Sequence, residues 1–180
     1  MSCPSCQQRS TRLLPGIRSD ARAASSRSTL AFCLLANGFA ETGGDSSAYD
    51  TGIAASSLMF GGVMDAFPKL EVMLPHAGGT FPSLIGRMTH GSAVRPETKH
   101  MTKPPVAYLR RFYYDTISHN EQIMLNIIRQ VGADRVVMGS DHPADMSTER
   151  PVDFVERIPD LSTYERELIL GGNAARLLKI

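Results

Sequence analysis

Two polar residues that follow apolar segments are the strongest candidates for chemistry in this chain. His76 comes after the segment 70–74 (LEVML), and Asp141 comes after the segment 136–138 (VVM). An imidazole has an ordinary pKa of about 6.5, so His76 could take or deliver a proton near neutral pH. A carboxylate such as that of Asp141 can bind a divalent cation or orient a metal-bound water molecule. Taken alone, a histidine packed in a turn and an aspartate bonded to its own loop would also explain these residues.

Alternating strand and helix patterns predict how the two residues are positioned. The segments 69–74, 111–116 and 136–140 are typical of buried strands, and a helical pattern follows each of them. Such repeats favour parallel pairing with right-handed crossovers, which brings the carboxyl ends of the strands to one face. Asp115 ends the middle strand, where it could support a site as a hydrogen-bond acceptor or serve a purely structural bond.

Start and stop signals mark the predicted helices. Ser118 with Glu121, and Ser162 with Glu165, have the spacing of capping boxes, and Gly132 is expected to end the helix between them. A helix is also predicted before the first strand and another directly after it. Their apolar faces are expected to be Ile53, Leu58, Met59, Val63 and Phe67 in the first, and Phe81, Leu84, Ile85 and Met88 in the second.

The composition limits the class of protein. The chain has 180 residues, a formal net charge of +1, 42% hydrophobic residues and 21% charged residues. This balance is ordinary for a globular domain and argues against nucleic acid or an anionic membrane as the main partner. No apolar stretch approaches the roughly 20 residues that span a bilayer, so a cytoplasmic protein is the default expectation. The length falls short of the roughly 250 residues of a complete (β/α)8 barrel.

Residues 1–50 differ in character from residues 51–180. They contain five arginines, nine serines and all three cysteines of the chain, with little periodicity. A transit peptide, or a signal-peptide core at 30–36, would explain part of this composition. We favour a segment that is poorly ordered or not ancestral, as a shifted reading frame or misplaced start would produce. The pair Cys3 and Cys6 is then incidental rather than half of a zinc site or a redox couple.

Several motifs after residue 50 resemble one family in the order in which that family has them. They are 67–70 (FPKL), 75–82 (PHAGGTFP), 86–88 (GRM), 113–116 (YYDT), 132–143 (GADRVVMGSDHP) and 172–178 (GNAARLL). Together they resemble the amidohydrolase-related proteins, and most closely the aminocarboxymuconate-semialdehyde decarboxylase-like branch. The resemblance implies an α/β fold in which residues 51–180 form part of a TIM (β/α)8 barrel, roughly its last three strand–helix units.

The resemblance also implies roles for individual residues. His76 corresponds to the catalytic acid/base and Asp141 to one ligand of a divalent metal, usually zinc. Arg87 matches an arginine that holds the substrate carboxylate and can be donated across a homodimer interface, and His142 is expected to line the site. The implied substrate is a small carboxylated molecule, often derived from an aromatic one.

One departure from the family pattern leaves the function open. Residues 1–50 contain no histidine, so three of the four metal ligands expected in this branch are absent. The leading interpretation is a metal-dependent carboxy-lyase of which this chain is the C-terminal portion. A lactonase-like hydrolase of the same family is one alternative. An inactive barrel fragment that lacks its metal ligands is another, and it makes metal occupancy in this chain doubtful.

Overall fold

The computed structural model describes residues 30–32 and 47–180. The strands in these ranges are β1 (Leu30–Phe32), β2 (Glu71–Leu74), β3 (Phe112–Asp115) and β4 (Val136–Val137). The α-helices in the same ranges are α1 (Ser47–Phe60), α2 (Val63–Ala66), α3 (Phe81–Val94), α4 (Glu121–Val131), α5 (Pro151–Arg157), α6 (Thr163–Glu167) and α7 (Asn173–Leu178). Short 3-10 turns cover His76–Gly78, Pro96–Thr98, Pro105–Arg111 and Ala133–Arg135, and a π-helical turn, Leu168–Gly172, leads into α7.

The strands form one parallel sheet in the spatial order β1, β2, β3, β4. Leu74 of β2 lies beside Tyr114 of β3, which in turn lies beside Val136 of β4. Because parallel strands need a crossover between them, α3 connects β2 to β3 and α4 connects β3 to β4. The structure confirms the α/β class and the strand–helix order of part of a (β/α) barrel. It adds β1 as a strand that the sequence patterns did not predict.

The core lies between the sheet and the helices that cover it. Phe81 of α3 and Phe112 of β3 pack edge to face, with ring centroids 5.4 Å apart and an interplanar angle of 74°. Tyr114 is fully buried beside them, and its hydroxyl donates to the backbone carbonyl of Leu109 at 2.9 Å. Burial raises the pKa of Tyr114, which keeps this hydroxyl neutral and able to donate. Helix α4 contributes Met124, Leu125, Ile127, Ile128 and Val131 to the interior.

Helix α1 is turned differently from the sequence-based expectation. Its buried residues are Thr51, Gly52, Ala55 and Met59, whereas Ile53 is 64% exposed. The prediction that Ile53 faces the core is therefore wrong. The face of α1 that packs on the loop after β2 needs small side chains. The helix therefore buries its small residues rather than the apolar face that the spacing of hydrophobic residues predicted.

The helix caps partly follow the sequence signals. Ser162 and Glu165 form the predicted capping box at the start of α6, and Gly132 ends α4 at a φ of 90°. The cap of α4 is Asn120, whose side chain accepts from the backbone N–H of Ile123 at 2.9 Å. The predicted box with Ser118 is thus wrong, because Asn120 lies directly before the helix and offers a carbonyl oxygen at the right position.

Most predictions for the first fifty residues concern residues outside the described ranges. This holds for Cys3, Cys6 and Cys33, and for the arginine-rich segment 9–27. Residues 30–32, for which a signal-peptide core was one alternative, form β1 beside β2. Helix α1 begins at Ser47, close to the boundary predicted at residue 50, and that boundary stays a prediction. Within residues 30–32 and 47–180, no helix has the length and apolar character needed to cross a membrane.

Candidate functional site at the carboxyl edge of the sheet

Three loops leave the sheet at the edge where its strands end. Because all the strands are parallel, the carboxyl ends of β2, β3 and β4 lie at this same edge. His76 is the second residue after Leu74, the last residue of β2, and Asp141 is the fourth after Val137, the last residue of β4. The loop after β3 lies between the other two in the strand order. The edge therefore carries an imidazole, a carboxylate and the polar loop that separates them.

One polar residue in each of these loops has a left-handed backbone. The φ angles are 55° at His76, 51° at His119 and 60° at Asp141. Ala77, directly after His76, also has a positive φ of 53°. Residues other than glycine seldom adopt this conformation, and it persists only where the surroundings hold it in place. Such positions concentrate at functional sites, so the edge has the backbone geometry of a site as well as the side chains.

The buried carboxylate of Asp115 holds the turn that carries His76. Asp115 is the last residue of β3 and is 7% exposed. Its Oδ2 accepts the backbone N–H of His76 at 3.1 Å, and its Oδ1 accepts that of Ala77 at 2.6 Å. Oδ1 also accepts the backbone N–H of Ile117 at 3.0 Å. One side chain thus joins the loops after β2 and β3 and supports the left-handed turn.

Two opposing effects act on the charge of Asp115. Burial raises its pKa, because a carboxylate loses hydration inside the protein. The backbone N–H groups of Ala77 and Ile117 act in the opposite direction, and so does the nearby His76 ring. Burial is the larger effect, so the pKa is raised overall. The backbone N–H donors thus offset part of the free-energy cost of burying the Asp115 carboxylate.

Helix α1 also supports His76. The Oγ1 atom of Thr51 lies 3.1 Å from Nδ1 of His76, and Thr51 is only 2% exposed. One turn earlier, the backbone carbonyl of Ala48 accepts the N–H of Thr80 at 3.2 Å. These contacts fix the imidazole ring as well as the backbone of its loop.

Two glycines allow this close packing of helix on loop. A Cβ atom at Gly79, whose φ is 58°, would overlap the backbone carbonyl of Ala48. A Cβ atom at Gly52 would overlap the hydroxyl of Thr80. The missing side chain at Gly79 therefore leaves room for α1.

The loop after β4 is closed by backbone hydrogen bonds and tied to β3. Thr116 bonds Gly139 twice, with its Oγ1 accepting the N–H of Gly139 at 3.1 Å and donating to the carbonyl at 3.4 Å. The carbonyl of Asp141 accepts the N–H of Ala144 at 2.9 Å. The carboxylate of Asp141 has no hydrogen-bond or ion-pair partner among the residues that the structure describes. It is therefore available to a ligand.

Among the described residues, no hydrogen bond joins Arg87 to His76. Arg87 is exposed on α3 and lines a cavity of about 710 Å³, together with residues of α3 and of the turn after it. Neither His76 nor Asp141 lines this cavity. His142 is exposed next to Asp141, and its backbone N–H donates to Oγ of Ser140 at 3.3 Å. The substrate-binding roles of Arg87 and His142 stay predictions.

The described residues do not form a complete metal site. No group of three or more histidine, cysteine, aspartate or glutamate side chains suited to a metal ion occurs within residues 30–32 and 47–180. Zinc sites in proteins use three or four protein ligands, so Asp141 by itself is insufficient. A metal ion at this edge would need donors from outside the described residues.

Sequence reasoning missed Thr51 altogether. Its partner His76 is 25 positions away, and a lone threonine in a helix gives no signal of such a contact. Asp115 was considered, because a carboxylate at the end of a strand is a recognisable feature. Its choice of backbone N–H partners could not be read from the sequence.

Comparisons with known proteins identify the family to which this fold belongs. The family model described as amidohydrolase matches residues 41–180. A 2-amino-3-carboxymuconate-6-semialdehyde decarboxylase of Dictyostelium discoideum is 34% identical over 131 residues, which cover 72% of this chain and 36% of the relative. A gamma-resorcylate decarboxylase of Polaromonas sp. is 30% identical over 135 residues, covering 73% of this chain and 41% of the relative.

A solved structure gives the same result. The dihydroxybenzoic acid decarboxylase of Polaromonas sp. JS666, with bound manganese and the inhibitor 2-nitroresorcinol, superposes with a TM-score of 0.65 at 28% identity. The match covers 73% of this chain and 40% of that one. This chain belongs to the amidohydrolase family, in its aminocarboxymuconate-semialdehyde decarboxylase-like branch. It spans about 36% of the length of the Dictyostelium relative.

Proposed function

We propose that this chain carries the proton-transfer half of a carboxy-lyase site. The observation that carries the proposal is the left-handed turn at His76, which Asp115 holds through its backbone and Thr51 holds through its ring. Strain that is supported from two sides indicates a residue whose position matters. Asp141, with an unpaired carboxylate at the same edge, is the second member of the proposed site.

The proposed reaction releases CO2 from a small carboxylated substrate. The bond between the carboxylate carbon and its neighbour breaks, and its electron pair stays on the neighbouring carbon. His76 delivers a proton to that carbon, so the product carries hydrogen where the substrate carried CO2. An imidazole suits this step because its ordinary pKa of about 6.5 lets it give up a proton near neutral pH.

The proposed substrate class follows the relatives. The two curated relatives act on 2-amino-3-carboxymuconate-6-semialdehyde and on gamma-resorcylate, and the solved neighbour acts on dihydroxybenzoic acid. These substrates are small carboxylates that carry further polar groups. We propose the same class here, with Arg87 and His142 as carboxylate-binding candidates. Arg87 would bind such a substrate across an interface between two chains, as the family resemblance implies.

The metal of this family is part of the proposal, although the described residues do not hold it alone. We propose that Asp141 contributes one ligand and that the others come from a second segment or a second chain. The divalent ion could be zinc, as the family resemblance implies, or manganese, as in the solved neighbour. A barrel fragment that lacks these ligands and is inactive is the second candidate, and the shortage of metal donors in the described residues favours it.

Metal analysis of the purified chain can exclude the inactive fragment. The chain is dialysed against Zn²⁺ or Mn²⁺, desalted, and analysed for metal per polypeptide. A metal content near zero agrees with ligands that must be supplied from elsewhere. A content near one ion per chain would exclude the inactive fragment, because it would show that this chain completes a site.

A chimera tests the carboxy-lyase function itself. Residues 47–180 of this chain replace the part of the Dictyostelium discoideum relative that matches them, and CO2 release is followed with each of the relatives' substrates. We expect measurable, metal-dependent decarboxylation of at least one substrate. A chimera that is folded and loaded with metal but releases no CO2 from any of them would contradict the proposed function.

A further inference from the structure

Thr51 makes a side-chain contact with His76 that the proposed reaction does not by itself require. Its Oγ1 atom lies 3.1 Å from Nδ1 of the ring, and its side chain is almost completely buried. Helical threonines commonly donate their hydroxyl to the carbonyl four residues earlier. Thr89 does so in α3, donating to the carbonyl of Ile85 at 2.8 Å. Thr51 instead bonds a ring nitrogen.

The hydroxyl group decides which ring nitrogen carries the proton. A buried hydroxyl needs an acceptor for its proton, since an unpaired buried donor is costly. Among the described residues, Nδ1 of His76 is the hydrogen-bond partner that this hydroxyl has. If the hydroxyl donates to Nδ1, then Nδ1 must be unprotonated in the neutral ring. The proton of the neutral imidazole then resides on Nε2, on the far side of the ring from α1.

We propose that Thr51 is a positioning residue that fixes His76 as the Nε2–H tautomer. Its hydroxyl orients the ring and keeps Nδ1 as an acceptor, so that Nε2 presents the proton away from the helix. Asp115 fixes the backbone of the same residue by accepting its N–H at 3.1 Å. The two contacts together leave the resting, neutral ring with one orientation and one tautomer.

This assignment deepens the proposed function and rests on it for its chemical meaning. A carboxy-lyase must deliver a proton to carbon after CO2 leaves, and the donor for that step is the imidazolium form of His76. The neutral Nε2–H ring becomes an imidazolium by taking a proton at Nδ1, and the threonine hydroxyl then rotates and accepts from Nδ1–H. Transfer of the Nε2 proton to carbon leaves a neutral ring whose Nδ1–H still donates to Thr51. Thr51 therefore supports both protonation states of His76 without moving the ring.

The tautomer can be measured in the intact chain without any activity. The full chain is labelled with ¹⁵N-histidine, and the nitrogen shifts of the neutral His76 ring are recorded, with His76→Gln used for assignment. We expect a predominantly Nε2–H ring in the wild-type chain. In Thr51→Val, which keeps the side-chain shape and loses the hydroxyl, the ratio of Nε2–H to Nδ1–H should fall about tenfold, the factor of one ordinary hydrogen bond.

Two further variants separate this role from general stability. Thr51→Ser retains the hydroxyl and should restore the wild-type ratio, whereas Thr89→Val makes the same chemical change in α3 and should leave the His76 shifts unaltered. Circular dichroism confirms that each variant is folded. A wild-type ring protonated at Nδ1, or a Thr51→Val variant that is folded and keeps the wild-type ratio, would overturn the assignment. If Thr51→Val does not fold, a ratio of His76 tautomers in Thr51→Ser that differs from the wild-type ratio would also overturn the assignment.

The chimera described above links the tautomer to catalysis. There, Thr51→Val should lower kcat about tenfold with little change in KM, and Thr51→Ser should recover most of the loss. An unchanged kcat in Thr51→Val would overturn the positioning role even if the tautomer shifts. An inactive chimera would refute the proposed function, while the nitrogen shifts would still decide the tautomer.

Discussion

Replacing Asp115 by asparagine tests how the turn at His76 is held. In the wild-type protein, Oδ1 of Asp115 accepts from the backbone N–H groups of Ala77 and Ile117, and Oδ2 accepts from that of His76. The substitution keeps the size of the side chain and leaves one oxygen for Ala77 and Ile117. The N–H of His76 would then face an NH2 group that cannot accept. The variant therefore loses one hydrogen bond to a charged acceptor and leaves one donor unpaired.

The expected loss of stability follows from these contacts. A hydrogen bond to a charged group contributes roughly 1.5–3 kcal/mol. Part of this is regained, because burial raises the pKa of Asp115 and the neutral amide avoids that cost. We expect Asp115→Asn to lower the free energy of unfolding by about 1–2 kcal/mol. Asp115→Ala removes the acceptor for all three N–H groups and should cost about 4 kcal/mol.

Urea denaturation followed by circular dichroism measures these losses, and amide hydrogen exchange locates them. In Asp115→Asn, exchange should accelerate more at His76 than at Ala77, because only His76 loses its acceptor. Asp153→Asn is the control, since its carboxylate pairs with Arg150 at 2.6 Å on the exposed surface, and it should cost less than about 0.5 kcal/mol. An Asp115→Asn variant as stable as this control, with unchanged exchange at His76, would refute the role of the carboxylate.

Three further changes test the packing around the site. Gly79→Ala should destabilise the chain by about 2 kcal/mol in urea denaturation, because Gly79 has a positive φ and a Cβ atom there would meet the carbonyl of Ala48. The control Gly86→Ala, which has open space around it in α3, should be neutral or stabilising by up to about 1 kcal/mol. Equal effects of the two substitutions would contradict the packing of α1 on the loop. Asn173→Ala should cost about 2–4 kcal/mol by the same assay, since its buried Nδ2 donates to two backbone carbonyls at 2.7 Å, and a loss below about 1 kcal/mol would show that these bonds do not anchor α7. Tyr108→Phe should cost at most about 1 kcal/mol at neutral pH, by removing a 2.6 Å bond to Asp65. That bond lowers the pKa of Asp65. Its contribution to stability is therefore present above the unfolded-state pKa of about 3.9 and disappears as the pH falls through the folded-state pKa. A loss of unfolding free energy in Tyr108→Phe that does not depend on pH would contradict this.

The sequence predicted β2, β3 and β4 because these strands are apolar runs that end in recognisable loops. The runs before His76 and before Asp141 identify β2 and β4, and parallel pairing then follows from the helices between them. The carboxyl edge was predictable for the same reason, since parallel strands end together.

Contacts between distant segments were not predictable from local patterns. Ile53 has the apolar character of a core residue, yet it is exposed because Gly52 and Thr51 are needed against the loop. The left-handed backbone at Ala77 has no sequence signal, because alanine does not favour it. Only the positions of Asp115 and α1 in space explain why the turn adopts it.

The role of Arg87 illustrates what a motif leaves open. The motif match predicts substrate binding, and the structure places Arg87 on α3 beside a cavity that His76 does not line. Its role stays a prediction. Which surface of a helix serves a site depends on segments and partners that pack on it. That information lies outside a single motif.

The central claim is that His76 delivers the proton and Asp141 binds the metal in one reaction. The chimera tests these two roles most directly. Metal content and kcat are measured for His76→Asn, Asp141→Asn and the control Asp145→Asn, which lies in the same loop as Asp141. We expect His76→Asn to keep its metal and lose at least about 100-fold in kcat, Asp141→Asn to lose the metal, and Asp145→Asn to resemble the parent. Full activity in His76→Asn, or unchanged metal content in Asp141→Asn, would contradict the account.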